Sequence, residues 1–110
     1  MTRLSQIKKI ISEEKDTLIK NYKVKRIGVF GSVVRGEDTD KSDIDILVDF
    51  VDPVDFIEFL DLEEHLSKKL GKNVDLVSRK ALKPYIGKEV MKEIIYLLWV
   101  KQTASFAYDE

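Results

Sequence analysis

The stretch that decides the fold is "GSVVRGEDTDKSDIDILV", residues 31–48, in which a small-residue turn is followed by an alternating acidic segment. In residues 43–50 the side chains alternate with the period of two that is typical of a β-strand. Asp43 and Asp45 share one face of this strand. The other face is apolar and is expected to face the core, because it carries Ile44, Ile46, Val48 and Phe50. The segment therefore predicts a half-buried strand that presents two carboxylates away from the core.

Another strand is predicted immediately before the turn, because "VKRIGVFG" (24–31) is short and rich in β-branched and aromatic residues. The following "SVVRG" is typical of a short helix. Gly31 would allow the backbone to come close to a bound group, and the Ser32 hydroxyl and the N–H groups of the turn favour an anion. The sequence thus places an anion-binding turn next to the pair of aspartates.

The flanking segments predict a small α/β (α+β) domain. Residues 3–22 have the apolar spacing of one amphipathic helix, and residues 73–78 read as a third strand. Between them a helix is predicted to start at Asp52-Pro53 and to stop at Gly71. Its buried side is expected to comprise Phe56, Phe59, Leu60, Leu66 and Leu70.

The last part of the predicted domain contains a helix after Pro84 and an apolar run at 94–100 that is compatible with either a helix or an edge strand. This order of elements predicts a mixed β-sheet of three to four strands with helices packed on one side. Residues 101–110 show no clear period, and we expect this tail to be flexible.

The composition limits the classes of function. A chain of 110 residues with 44% hydrophobic and 35% charged residues predicts one globular domain, 1–110. The net charge of -1 provides no global basic field, so direct binding to nucleic acid is not expected. The chain has no cysteine and a single histidine, His65, which excludes cysteine-ligated zinc and a two-histidine site within one chain. His65 itself is expected to lie at a solvated helix position.

The absence of a long apolar run bears on location. No segment approaches the ~20 apolar residues that span a membrane, and "MTRLSQIKKI" lacks the apolar stretch of a secretory signal. We therefore expect a cytoplasmic protein without a membrane partner.

The two aspartates predict a metal site. Residues two apart on one strand have Cα atoms about 6.5–7 Å apart. Asp75, near the start of the third predicted strand, would bring a third carboxylate to the same face if the strands are neighbours. Two like charges at ~4 Å repel by about 4 kcal/mol at an effective dielectric constant near 20. The cluster is therefore costly unless cations neutralise it or some of the carboxylates stay protonated. Oxygen ligands suit Mg²⁺, and paired Mg²⁺ ions serve phosphoryl displacement. Asp49 is a weaker alternative to Asp75.

Residues 31–48 closely resemble the signature of the minimal nucleotidyltransferase family, within the DNA polymerase β-like nucleotidyltransferase superfamily. That pattern is Gly-Ser, two residues, Arg-Gly, a variable loop, and Ser-Asp-x-Asp before an apolar strand. The later "VDLV" supplies a third aspartate, and the resemblance covers about residues 24–96, including "LKPYI". It implies a nucleotidyltransferase-type fold.

The resemblance also implies roles for individual residues. Asp43 and Asp45 would bind two Mg²⁺ ions, and Asp75 would complete the second metal site and help to activate the attacking hydroxyl. The nucleotide-binding set would comprise Gly31, Ser32, Arg35 and Ser42. The role of Arg35 stays open, because it could brace the loop or reach a phosphate. The other acidic residues of the loop are expected to be solvated: Glu37, Asp38 and Asp40.

Members of this family of similar size are often antitoxins whose partner is a HEPN-type ribonuclease. The resemblance implies a Mg²⁺-dependent enzyme that transfers AMP from ATP to a hydroxyl, with a tyrosine of the partner as the expected acceptor. Two other functions remain open at this point. The chain could neutralise its partner by binding alone, or it could modify a small molecule with the help of another subunit. A homo-oligomer is also left open.

Overall fold

The computed structural model describes residues 2–100, so the expectation for the tail at 101–110 lies outside the described residues. Within this range the chain forms five α-helices, four β-strands and one 3₁₀ turn. In chain order they are α1 (Arg3–Glu13), α2 (Lys15–Tyr22), β1 (Val24–Phe30), α3 (Ser32–Arg35), β2 (Ile44–Phe50), α4 (Phe56–Leu70), β3 (Val74–Ser78), the 3₁₀ turn (Arg79–Ala81), α5 (Pro84–Glu93) and β4 (Ile95–Trp99).

The strands form one mixed four-stranded sheet in the order β3-β2-β1-β4. β1 is antiparallel to both β2 and β4, whereas β2 and β3 are parallel. The predicted α/β fold with a small mixed sheet is confirmed. The sheet also resolves the open question about residues 94–100, because β4 pairs with β1 at the edge of the sheet, with Gly28 opposite Tyr96.

The core lies on the side of the sheet that the alternation of β2 predicts. Ile44, Ile46 and Val48 are at most 1% exposed. They join one apolar cluster with buried residues of α1, α2 and α4, namely Ile7, Ile11, Leu18, Leu62 and Leu66. Leu47, on the opposite face of β2, is also buried. On the face of β2 that carries Leu47, Asp45 and Asp49 are only partly buried.

The single helix predicted for residues 3–22 is wrong, because α1 and α2 are separate helices that meet at Glu14. The Glu14 carboxylate contacts Nε2 of His65 at 2.7 Å, and the His65 ring lies 5.0 Å from the Tyr22 ring between centroids. His65 is therefore not at a solvated position, since its side chain is only 19% exposed. This contact connects the junction of α1 and α2 to α4.

The predicted start of the long helix at Asp52-Pro53 is also wrong, because α4 begins at Phe56 with Asp55 as its N-cap. Asp55 accepts the Glu58 N–H at 2.8 Å, and Glu58 accepts the Asp55 N–H at 3.1 Å. This capping box satisfies two free donors at the helix start. The predicted end at Gly71 is confirmed, with a left-handed φ of 69°.

The expected buried side of α4 is only partly correct. Leu66 is fully buried as predicted, but Leu62 is the second fully buried residue of the helix, and it was not predicted. Phe56 and Leu60 are 70% and 39% exposed, because the helical period places them on a different side of α4 from Leu62 and Leu66. No helix within residues 2–100 is long and apolar enough to cross a membrane.

Candidate active site

The register of the sheet brings the predicted aspartates together at one end of β2. Asp45 is the direct partner of Asp75 across the parallel β2–β3 pair, and it lies opposite Phe30 in the antiparallel β1–β2 pair. Asp43 lies one residue before β2, two positions from Asp45, and both Asp43 and Asp75 are exposed. The end of β1, the start of β2 and the start of β3 therefore meet around the Asp45 carboxylate.

The electrostatics of Asp45 reflect this position. Burial raises the pKa of the Asp45 carboxyl above its ordinary value. The charges of Asp75 and Asp43 raise this pKa further, the Arg35 guanidinium lowers it, and Glu93 adds a smaller increase. The negative charges thus oppose ionisation of Asp45, as expected for neighbouring carboxylates without a cation.

The three aspartates supply only oxygen donors, which suits a hard cation such as Mg²⁺. Within residues 2–100, no three acidic or histidine side chains are gathered closely enough to hold a metal ion as they stand. Asp43 and Asp75 are exposed, so their side chains have room to turn toward the partly buried Asp45. The donor set fits Mg²⁺, whereas the side-chain arrangement requires this adjustment.

Gly31 follows β1 in a conformation that other residues avoid. Its φ of 77° and ψ of -149° fall in a region that is essentially restricted to glycine. A Cβ atom at Gly31 would lie 3.1 Å from Cγ of Asp45 and closer still to its carboxylate oxygen. Both the backbone and the space next to Asp45 therefore require glycine here, and Ser32 then opens the short helix α3.

Arg35, at the end of α3, is held by two carboxylates. Its Nε donates to Glu37 at 2.8 Å, and its Nη1 donates to both oxygens of Glu93 at 3.1 and 3.0 Å. The Gly31 N–H donates to Oε1 of the same Glu93 at 3.0 Å. Glu93, the last residue of α5, therefore binds both the turn and Arg35, a role that was not predicted from the sequence.

The signal that would have identified Glu93 is its position just before β4. Ile95 is the partner of Val29 on β1, two residues before Gly31. If residues 94–100 are taken as a strand paired with β1, Glu93 falls at the Gly31 end of that pair. The sequence pattern alone did not distinguish a strand from a helix there, so this placement required the sheet.

The loop between α3 and β2 is braced rather than simply solvated. Asp38 accepts a hydrogen bond from Nε of Arg3 at 2.7 Å and is 19% exposed, so the expectation of a solvated Asp38 is wrong. Asp40 is fully exposed, as expected. The Ser42 hydroxyl accepts the Thr39 N–H at 2.9 Å, which closes the loop just before Asp43.

Asp49 does not join the carboxylates. It accepts a hydrogen bond from Nη2 of Arg26 at 2.7 Å, with both side chains largely buried. Asp75 rather than Asp49 is the register partner of Asp45. The register therefore places Asp75, and not Asp49, next to Asp45.

The family described as polymerase beta, nucleotidyltransferase, matches residues 6–102 of this chain. The chain belongs to this nucleotidyltransferase family. The resemblance inferred from residues 31–48 is thereby confirmed. As a member of this family, the chain is a nucleotidyltransferase. The match includes every aspartate of the site as well as Gly31, Arg35 and Glu93.

One relative and two solved structures illustrate what this nucleotidyltransferase is similar to. Protein adenylyltransferase MntA of Thermococcus cleftensis is 44% identical over 97 residues, which cover 88% of this chain and 98% of that protein. The crystal structure of a toxin–antitoxin pair with AMP-PNP superposes with a TM-score of 0.68 at 27% identity, covering 81% of this chain and 73% of that one. The toxin–antitoxin pair MntA-HepT gives 0.61 at 28% identity, covering 86% and 70%.

Proposed function

We propose that this nucleotidyltransferase transfers AMP from ATP to a hydroxyl group of a partner protein, and that the acceptor is a tyrosine of a HEPN-type toxin. The observation that carries the proposal is the pairing of Asp45 with Asp75 beside the Gly31 turn. The similarity to a protein adenylyltransferase and to toxin–antitoxin pairs, one of them with AMP-PNP, supports the choice of nucleotide and acceptor. The chain would act as the antitoxin of such a pair.

The site would hold two Mg²⁺ ions on Asp43, Asp45 and Asp75. When bound, such ions neutralise phosphate charge and lower the pKa of a hydroxyl that attacks phosphorus. Asp45 would be the fixed ligand, because its strand lies between β1 and β3. Asp43 and Asp75 would turn toward it from exposed positions. Burial, and then repulsion by Asp75 and Asp43, raise the pKa of Asp45, so a bound cation would lower the free energy of the cluster by offsetting this repulsion.

The triphosphate would lie along the Gly31 turn. Because Gly31 has no side chain, the space next to the Asp45 carboxylate is free. The phosphates would approach the metal-binding carboxylates through this space. Ser32 would donate its hydroxyl, and Arg35 would supply positive charge from a side chain that is 47% exposed. Ser42 would contribute mainly by fixing the loop that leads into Asp43.

The reaction would be an in-line displacement at the α-phosphorus. The acceptor oxygen forms a bond to this phosphorus, the bond to the pyrophosphate oxygen breaks, and the acceptor proton is released. Asp75 would help to remove this proton, because it is the exposed carboxylate next to Asp45. Pyrophosphate leaves along the Gly31 turn, where the positive charge of Arg35 favours it.

The test is transfer of label from ATP that carries a labelled α-phosphate to the protein encoded next to this chain. We expect transfer by the wild type in the presence of Mg²⁺, and loss of at least a hundredfold in Asp43→Ala and Asp45→Ala, on the order seen for removal of a catalytic electrostatic group. Asp40→Ala is the matched control, because this loop carboxylate is fully exposed. Unchanged transfer by Asp45→Ala would contradict the proposal, as would full activity in the presence of a chelator.

Neutralisation of the partner by binding alone is the second candidate function. It is favoured by exposed apolar residues at the start of α4, where Phe56 and Ile57 are 70% and 65% exposed. Adjacent exposed apolar side chains are typical of surfaces that contact another protein. Such a contact also serves an enzyme with a protein acceptor, so only a measurement of both modification and inhibition separates the two functions.

A further inference from the structure

Glu93 is the fourth carboxylate near Asp45, and it makes contacts that differ from those of the three aspartates. Its Oε1 accepts hydrogen bonds from the Gly31 N–H at 3.0 Å and from Nη1 of Arg35 at 3.1 Å. Its Oε2 accepts from the same Nη1 at 3.0 Å. The Glu93 side chain therefore binds both the turn after β1 and the Arg35 guanidinium at the end of α3.

The position of Glu93 is itself fixed. The next residue, Ile94, occupies the space above Gly28, where an added Cβ would lie 2.6 Å from Cδ1 of Ile94. Ile95 then pairs with Val29 in the β1–β4 ladder. The packing of Ile94 and Ile95 on β1 thus fixes the position of the Glu93 backbone next to the Gly31 turn.

Arg35 retains donors after these contacts. A guanidinium group has five N–H donors. Among residues 2–100 the contacts of Arg35 use its Nε and Nη1, which leaves the two N–H groups of Nη2 for a ligand. Glu37 and Glu93 together hold the planar group in one orientation, and a pre-ordered side chain loses less entropy when a ligand binds.

We propose that Glu93 is a positioning residue for the triphosphate, which acts by fixing the Gly31 turn and the orientation of Arg35. This role rests on the proposed nucleotide site and extends it to a residue of α5. Glu93 is not a metal ligand in this account, because both of its oxygens are already engaged by the turn and by Arg35. Its negative charge is balanced by the guanidinium that it holds.

The experiment compares Glu93→Gln, Glu93→Asp and Glu89→Gln with the wild type. Glu89 lies one helical turn earlier on α5, is 60% exposed and pairs only at the surface with Lys92 at 3.3 Å, so its variant is the matched control. Calorimetry measures the Kd of a non-hydrolysable ATP analogue with Mg²⁺, and steady-state transfer assays measure KM and kcat. Thermal melting shows that each variant folds, and Glu93→Asp keeps the charge if Glu93→Gln does not fold.

We expect Glu93→Gln to raise Kd and the KM for ATP roughly tenfold and to change kcat by less than about threefold, as for loss of one charged hydrogen bond that orders a binding group. Glu93→Asp should recover part of the affinity, and Glu89→Gln should match the wild type. In an Arg35→Gln background, Glu93→Gln should weaken binding by less than about a further twofold, because its main effect passes through Arg35.

Tighter binding by Glu93→Gln would overturn the proposal, because it would mean that Glu93 competes with the triphosphate. A fall in kcat at unchanged Kd would also overturn it, since Glu93 would then act on the chemical step. If Glu93→Gln and the wild type bind the ATP analogue with equal affinity, the positioning role of Glu93 is refuted, but the proposed nucleotide site is not. Failure of the wild type to bind the analogue would instead refute the proposed nucleotide site.

Discussion

Asp45 of β2 and Asp75 of β3 are direct register partners across the one parallel strand pair of the four-stranded sheet that the structure describes. Asp45 also lies opposite Phe30, the residue before Gly31. Asp45 is thus the position on β2 that lies next to the Gly31 turn, to Asp43 and to Asp75. Because of this arrangement, burial and repulsion act together on the Asp45 carboxylate.

Asp45→Asn is expected to stabilise the metal-free protein. Burial, and then repulsion by Asp75 and Asp43, raise the pKa of Asp45 above the ordinary value of 3.8, so the folded state holds this proton more tightly than the unfolded chain does. The resulting stabilisation is present at acid pH and is lost as the pH rises from that ordinary value through the raised pKa. Asparagine does not titrate. The variant should therefore melt a few degrees higher than the wild type at pH 7, in a thermal scan with a chelator.

Mg²⁺ should reverse this order of stabilities. A cation that binds only the folded state raises the melting temperature of the wild type, and this gain should be absent in Asp45→Asn. A lower melting temperature for the chelated variant than for the chelated wild type at pH 7 would refute the repulsion at Asp45, and equal stabilisation of both proteins by Mg²⁺ would refute Asp45 as a ligand.

Gly31→Ala is expected to destabilise the protein and to abolish transfer. Alanine must adopt φ 77° and ψ -149°, and its Cβ must displace the Asp45 carboxylate. Strain of this kind costs on the order of 1–3 kcal/mol, and we expect a loss of at least 2 kcal/mol in urea unfolding because the clash adds to it. Gly36→Ala is the control, since Gly36 has a φ of 72° but nothing within 4 Å of an added Cβ. Equal losses of stability in the two variants would show that the contact with Asp45 is unimportant.

Asp49→Ala should destabilise the fold, because Arg26 would lose its only carboxylate partner among the described residues. The Arg26 and Asp49 side chains are 17% and 13% exposed, and the Arg26 guanidinium lies 4.8 Å from the centroid of the Trp99 ring. Nε of Arg26 is already buried without a hydrogen-bond partner within residues 2–100. Removal of the carboxylate should reduce the free energy of unfolding by about 1–3 kcal/mol.

The exposed pair of Glu64 and Lys68 provides the comparison for this prediction. These residues lie 3.9 Å apart at i and i+4 on α4, and Glu64 is 69% exposed. Glu64→Ala should therefore change the free energy of unfolding by less than about 0.5 kcal/mol. If both variants lose the same stability, burial does not strengthen the Arg26 pair.

The parts of the site that could be predicted from the sequence are those in which local pattern and burial agree. The alternation in residues 43–50 predicted the buried face of β2 correctly, because only one register places Ile44 and Ile46 in the core. The turn at Gly31 could be predicted because a Gly-Ser pair directly follows the apolar strand. Asp75 could be placed beside Asp45 once two neighbouring strands were assumed.

The parts that could not be predicted depend on contacts between distant residues. The break between α1 and α2 at Glu14 is held by His65, 51 residues away, and no local period reveals it. The start of α4 was misplaced because Asp52 and Asp55 both have the chemistry of an N-cap, and only Asp55 forms the capping box. Glu93 reaches Gly31 across 62 residues through the pairing of β4 with β1.

Transfer of AMP to the partner is decided by the partner's intact mass after incubation with this chain, ATP and Mg²⁺, measured together with the partner's ribonuclease activity. We expect the wild type to add one or more AMP units to the partner and to silence it, and we expect Asp45→Ala to add none and to leave the partner active. Silencing of the partner to the same extent by the wild type and by Asp45→Ala, with no increase in mass, would contradict the account and would show that this nucleotidyltransferase acts by binding alone.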